Sequence, residues 1–468
     1  MNRSRWGGGA VAACALVLGG CGRANDASDA KHDDPTKGLS VPLVATTTKF
    51  ANGFELTTDE DHRAPSIGVS LSYRVGSRDD PPGRTGLAHL VEHLMLRGSL
   101  HVPMGEFERQ VNGVGGTWNA ETGLDRTWYW ETLPSDQLPL AMWLESDRML
   151  SKLETIDEAT LGIERDIVKN EARTHAGDAN DDVLGMAQAA VFPEGHPYHH
   201  RTIGSAEDLD RVTLDEVKAF ARRYYMPSNA TLAIVGDVDR NEVVQAVNHW
   251  FGTLPKSDPP VRVDPAHLPI PKLKGLTHLE VEADVEYPEV ILSWVGPRRF
   301  DVDDAEVDEY FDFLQHVLQA WLMIDDKIAR SVTKVRQRGE LGSHDALVFT
   351  LARGEKPEVA VDAIDKLLLQ TRRTRMSPHD VDDERLAFSA RLLYSLERFD
   401  ERANLYNDYR DATGRALFAQ TWFKRYDDVR ASSARRLKPI WFPEDARVIT
   451  IVRPLKGAPI AGRLVNKR

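Results

Sequence analysis

The chain has 468 residues, 41% of them hydrophobic and 28% charged, a length that supports two or more domains and a composition that excludes disorder, collagen and a membrane bundle. Fifty-nine Lys and Arg against 72 Asp and Glu leave a net charge of −13, which excludes electrostatic capture of nucleic acid. The only two cysteines, Cys14 and Cys21, lie in the first 21 residues, so the body carries no disulfide framework.

Arg3 and Arg5, the apolar run Ala10 to Leu18 and the small Gly19 and Gly20 read as a targeting segment too short to span a bilayer. Leu18-Gly19-Gly20-Cys21 resembles the lipobox of bacterial lipoproteins. The resemblance implies removal of residues 1–20 and a lipid anchor on Cys21; an ordinary secretory signal is the alternative. Gly22, where an Asp would favour retention at the inner membrane, leads us to expect the periplasmic face of the outer membrane. Residues 21–42 read as a polar tether.

In chain order, Ile67-Gly68-Val69-Ser70-Leu71-Ser72-Tyr73 alternates like a strand. A helix is expected from an N-cap at Thr85 to about Gly98, and a shorter one over Met104 to Val111. Thr117 to Glu121 and Arg126 to Thr132 predict a hairpin, followed by helices over about 135–151 and 156–174. Leu214 to Tyr225 is expected as a helix, Ala230 to Val235 as a strand and Asn241 to Phe251 as a helix. Six prolines between Pro255 and Pro271 mark a linker. The body thus divides into modules at 43–254 and 274–460, joined by 255–273. Leu232 to Gly236 with the helix at 242–247 recurs as Val348 to Gly354 with the helix at 358–364, which suggests duplicated α+β modules, although any α/β chain can repeat such units by chance.

The sharpest chemical feature is His89-Leu90-Val91-Glu92-His93 inside a helix. Residues four apart on a helix share a face, so the two histidines can share one metal. Glu92 lies close enough to take a proton from a water activated by that metal. This inverts the commoner zinc-peptidase helix. A catalytic zinc needs a third protein ligand, and Glu164 and Glu171, seven apart on the helix after 156, share a face. Alone, such a glutamate pair is more often solvated.

These residues, with Gly115 to Thr122, Asp125, Thr127 and Tyr129, Gly195 to Tyr198, and Tyr224 to Asn229 before Val235-Gly236-Asp237, resemble the pitrilysin/insulinase family of zinc peptidases over about 43–255, and more weakly to about 455. The resemblance implies an α+β fold of two homologous modules, each a mostly antiparallel sheet with helices packed on one face. It implies one zinc per chain, held by His89, His93 and Glu171, with Glu92 as general base and Glu164 supporting the ligands. Zinc suits two histidines and a carboxylate, though manganese or cobalt also fits such a set. Asn119 and Ala120 are expected on an edge strand where an extended peptide adds through backbone hydrogen bonds.

The family also uses an Arg and a Tyr, seven apart in the second half, to hold substrate. Arg336 occupies the arginine position, taken by itself an exposed helix residue, but Ser343 replaces the tyrosine. We therefore expect a homodimer, or a heterodimer with a related chain that supplies the Arg/Tyr pair, acting on peptides or unfolded protein segments. The alternatives are a non-catalytic subunit of the same fold and a lipoprotein that captures peptides or metal. The acidic run Asp301 to Asp308 and the basic cluster Arg372, Arg373 and Arg375 read as solvated faces. The adjacent His199 and His200 diverge on any element and are not expected to share a metal.

Overall fold

The computed structural model describes residues 43–175, 180–325, 327–371, 377–430, 432–459 and 462–468. Cys21 and the Arg372, Arg373 and Arg375 cluster lie outside the described residues.

Among the described residues, twelve strands form two six-stranded sheets. The first half supplies β1 (Thr46–Lys49), β2 (Glu55–Glu60), β3 (Ser66–Tyr73), β4 (Thr117–Thr122), β5 (Thr127–Pro134) and β6 (Ala230–Gly236). The second supplies β7 (Thr277–Ala283), β8 (Glu289–Gly296), β9 (Ala329–Gly339), β10 (Gly342–Leu351), β11 (Val448–Pro454) and β12 (Arg463–Lys467). The orders are β1-β2-β6-β3-β5-β4 and β12-β7-β11-β8-β10-β9. In each sheet one pair is parallel, β2 with β6 and β7 with β11, and the rest are antiparallel. The duplication is therefore present, but our alignment of its parts is corrected. β6 holds the third place in its sheet and its counterpart is β11, whereas the matched segment at 348–354 belongs to β10, in the fifth place. The last strand also carries the second sheet past residue 460.

Each half's own helices cover one face of its sheet, as β3 illustrates. Ile67, Val69, Leu71 and Tyr73 join the core of the first half. The alternate residues face a helix from the other half, Phe399–Thr413, where Ser70 donates to Asn404 Oδ1 at 2.7 Å and Ser72 to Asp411 Oδ2 at 2.6 Å. Tyr406 of that helix donates to Asp59 at 2.6 Å. The second sheet is treated reciprocally: Val290, Leu292 and Trp294 of β8 meet their own helices. Ile291 packs with Val183 and Leu184 of the helix Asn180–Val191, and Val295 with Val191 and Phe192 at its end. Each half thus lends a helix to the other's sheet.

The helix of the motif runs Leu87–Met95. Its N-cap is Gly86 at φ 89 and not Thr85. The left-handed turn there suits a glycine, and the Asp80 carboxylate accepts from the N–H groups of Gly86 and Ala88, both at 2.8 Å. The proline-rich stretch is more than a tether: Leu268, Ile270 and Leu273 pack against a buried cluster. The acidic run is also corrected, since Asp304 is fully buried and Asp308 binds Lys334, Arg336 and Tyr426.

Candidate metal centre

Leu87, Ala88, Leu90, Val91, Leu94 and Met95 bury the motif helix in the first core, leaving His89 and His93 half-open on its remaining face. Their rings lie 4.8 Å apart, edge to face. The helix Glu158–His175 runs beside them and contributes both glutamates. Glu171 Oε2 lies 3.1 Å from His93 Nε2 and 3.9 Å from His89 Nε2. Glu164, nearly fully buried, lies 3.5 Å from His93 Nδ1 and pairs with Arg97 Nε at 2.7 Å. One carboxylate therefore sits beside the Nε2 atoms of both histidines and another beside Nδ1 of His93, an arrangement that would fix that ring's tautomer.

Glu92 is 6% exposed. Its Oε2 accepts from Thr122 Oγ1 at 2.6 Å. His89, Glu92 and His93 bring one ligand atom each within 4.8 Å of one another. The two imidazoles with the Glu171 carboxylate, 3.1 Å from one Nε2 and 3.9 Å from the other, are a donor set that suits zinc or a similar dication. Burial pushes the Glu92 carboxyl up to about 7 against the Thr122 hydrogen bond and the His93 charge. For His93, burial opposes the charged ring, but Glu164, Glu171 and Glu92 outweigh it and raise its pKa to about 9. A dication bound there would have to displace the His93 proton.

The centre opens into a crevice of about 600 Å3 whose wall includes Trp118, Asn119 and Ala120 of β4. As expected, β4 is the edge of its sheet. Asn119 Oδ1 accepts from the Ala120 N–H at 2.9 Å, so an incoming strand that uses this N–H must first displace the Asn119 side chain. Among the described residues, those that line it fall between His89 and Ile203.

Arg336 is not in that crevice, and its position corrects our expectation. It lies on strand β9, not on a helix, with its side chain 4% exposed and bonded to Asp345 at 2.9 Å, Asp308 at 3.0 Å and Asp304 at 3.1 Å. The strand's alternation turns it towards the helix Val302–Gln319. Ser343 is buried and donates to the Pro297 carbonyl at 2.6 Å. Sequence reasoning missed Arg97 and the role of Thr122. The second was accessible, because Thr122 alternates with Ala120 on the strand face that meets the motif helix.

A family model described as Insulinase (Peptidase family M16) matches residues 56–196, and one described as the Peptidase M16 inactive domain matches 211–387. The chain belongs to the M16, or pitrilysin/insulinase, peptidase family. The zinc protease PqqE of Helicobacter pylori is 26% identical over 410 residues, covering 84% of this chain and 89% of that protein. The mitochondrial-processing peptidase subunit beta of Saccharomyces cerevisiae is 26% identical over 225 residues, 48% of each chain. Among solved structures, a protease from Helicobacter pylori superposes with a TM-score of 0.80 at 24% identity, covering 88% of this chain and all of that one. Pitrilysin superposes at 0.69 with 17% identity, covering 92% of this chain and 47% of that one. These likenesses establish the two-module M16 fold.

Proposed function

We propose that this M16 chain is a zinc-dependent endopeptidase that hydrolyses peptides or unfolded protein segments. The observation that carries the reading is the convergence of both histidine Nε2 atoms on the Glu171 carboxylate beside the buried, hydrogen-bonded Glu92. His89, His93 and Glu171 would hold the metal. When bound, zinc supplies Lewis acidity that polarises the scissile carbonyl and acidifies water. Glu92 takes the proton from the attacking water and returns it to the leaving amine. Glu164 holds the His93 ring by Nδ1, and the β4 edge aligns the peptide by backbone hydrogen bonds once Asn119 swings aside.

The test is cleavage of a mixed peptide library by the chain without residues 1–21. Turnover that disappears with a chelator and returns with zinc supports the reading. Metal binding without cleavage in any combination favours a capture or scaffold role.

A second reading concerns partners. Arg336 and Ser343 are both committed inside the second half, and among the described residues the crevice is lined by the first half, which favours a related chain or a second copy completing substrate binding. Activity that appears only on adding such a chain supports it. A lipid anchor at Cys21 and a periplasmic address remain part of this proposal. Among the described residues no helix is long and apolar enough to cross a membrane.

A further inference from the structure

The β4–β5 hairpin, whose edge strand walls the crevice, turns at residues 123–126, and that turn meets the second half of the chain. Asp125, whose side chain is 3% exposed, accepts from Arg78 Nη1 at 2.9 Å, from the Tyr198 hydroxyl at 2.5 Å and from the Glu340 N–H at 2.8 Å. Glu340 sits in the turn between β9 and β10, which by sheet position is the counterpart hairpin. One turn is therefore bonded to the other. The stretch between the halves straps the junction, because Arg262 donates to the Asp125 carbonyl at 2.7 Å and Val263 accepts from Arg78 at 2.7 Å. Arg78 also reaches Glu340 at 3.0 Å, and the Leu341 N–H donates to the Tyr198 hydroxyl at 3.1 Å. Gly339 leaves room for this contact, since a Cβ there would lie 2.5 Å from the Tyr198 hydroxyl.

Asp125 is three residues from Thr122 and two from Thr127. Thr127 donates its hydroxyl hydrogen to the Val75 carbonyl at 2.9 Å, so it cannot also donate to Thr122 at 3.3 Å. Thr122 has one hydrogen, and Glu92 Oε2 at 2.6 Å takes it. The position of the hairpin therefore decides whether Glu92 keeps its donor.

We propose that Asp125 is a positioning residue: it locks the β4–β5 turn into the β9–β10 turn and thereby holds Thr122 where its hydroxyl engages Glu92. Asp125 acts through Thr122 and stands outside the crevice lining. The catalytic part of this proposal rests on the peptidase reading; the lock itself does not.

The test compares the metal-loaded chain with its Asp125→Asn, Thr122→Val and doubly substituted forms by hydrogen exchange and peptide kinetics. In Asp125→Asn the amides of 117–134 are expected to exchange about tenfold faster or more, with those of 87–95 unchanged. The value of kcat is expected to fall about tenfold with KM nearly constant. Thr122→Val is expected to cost a similar factor, and the double substitution no more than the worse single one. Gly339→Ala, which pushes on Tyr198, is expected to loosen the same amides and stands in if Asp125→Asn does not fold. Unchanged exchange at 117–134 in the folded variants overturns the lock, and multiplicative costs overturn its action through Thr122. A wild-type chain that cleaves nothing, alone or with a related partner chain, refutes the peptidase reading and its catalytic corollary, while exchange still decides the lock.

Discussion

His93 lies between two carboxylates, Glu164 at Nδ1 and Glu171 at Nε2, and this crowding has a measurable consequence. A metal ligand must be neutral, yet these carboxylates raise the His93 pKa to about 9 against the effect of burial. Metal uptake must expel the ring proton. Affinity is therefore predicted to rise with pH by about tenfold per unit and to level off near 9, whereas an unperturbed histidine would level off near 6.5. Competition titrations with a chromogenic chelator between about pH 6 and 10 measure this; a plateau near 6.5 would show that the carboxylates do not govern the ring. Glu164→Ala removes the partner at Nδ1 and is expected to weaken metal binding by about 10- to 100-fold, read in the same titration.

At the scale of elements, β3 and the helix Phe399–Thr413 meet backbone to backbone at Gly68. A Cβ there would lie 2.2 Å from the Phe399 carbonyl carbon and 2.3 Å from the Asp400 nitrogen, and neither can turn aside as a side chain would. Gly68→Ala is predicted to cost about 1–3 kcal/mol or more by overpacking, measured as a lower denaturation midpoint. No change would mean that the helix is not seated as described. The histidine motif was legible because its chemistry follows from a spacing of four on one helix. Glu171 could be separated from other surface glutamates only by family resemblance, since a helix face does not reveal what stands opposite. Arg336 misled for a related reason: the fate of an arginine depends on which face of a strand it occupies, and the carboxylates that bind it come from 9 to 32 residues away. The repeat was detectable, yet strand, turn and helix recur at several places, so only sheet order shows that β6 answers to β11.

For the whole molecule, the exchange of covering helices makes the halves interdependent. Without the second half, Ala233 and Val235 of β6 lose their packing against Phe399, Ala403 and Tyr406. Residues 43–254 produced alone are predicted to be insoluble or incompletely folded, and co-production of 274–468 is predicted to restore a soluble complex. A stable, monomeric first half would contradict the reciprocal cover. Under the proposed function the first half carries a hydrolytic metal centre with Glu92 as its base. The deciding comparison is of metal content and peptide cleavage in the wild-type chain and in Glu92→Gln, which keeps size and burial but cannot accept the proton. About one zinc per chain is expected in both, with a fall in kcat of about a hundredfold or more in the variant; equal turnover with equal zinc would rule out Glu92 as the base.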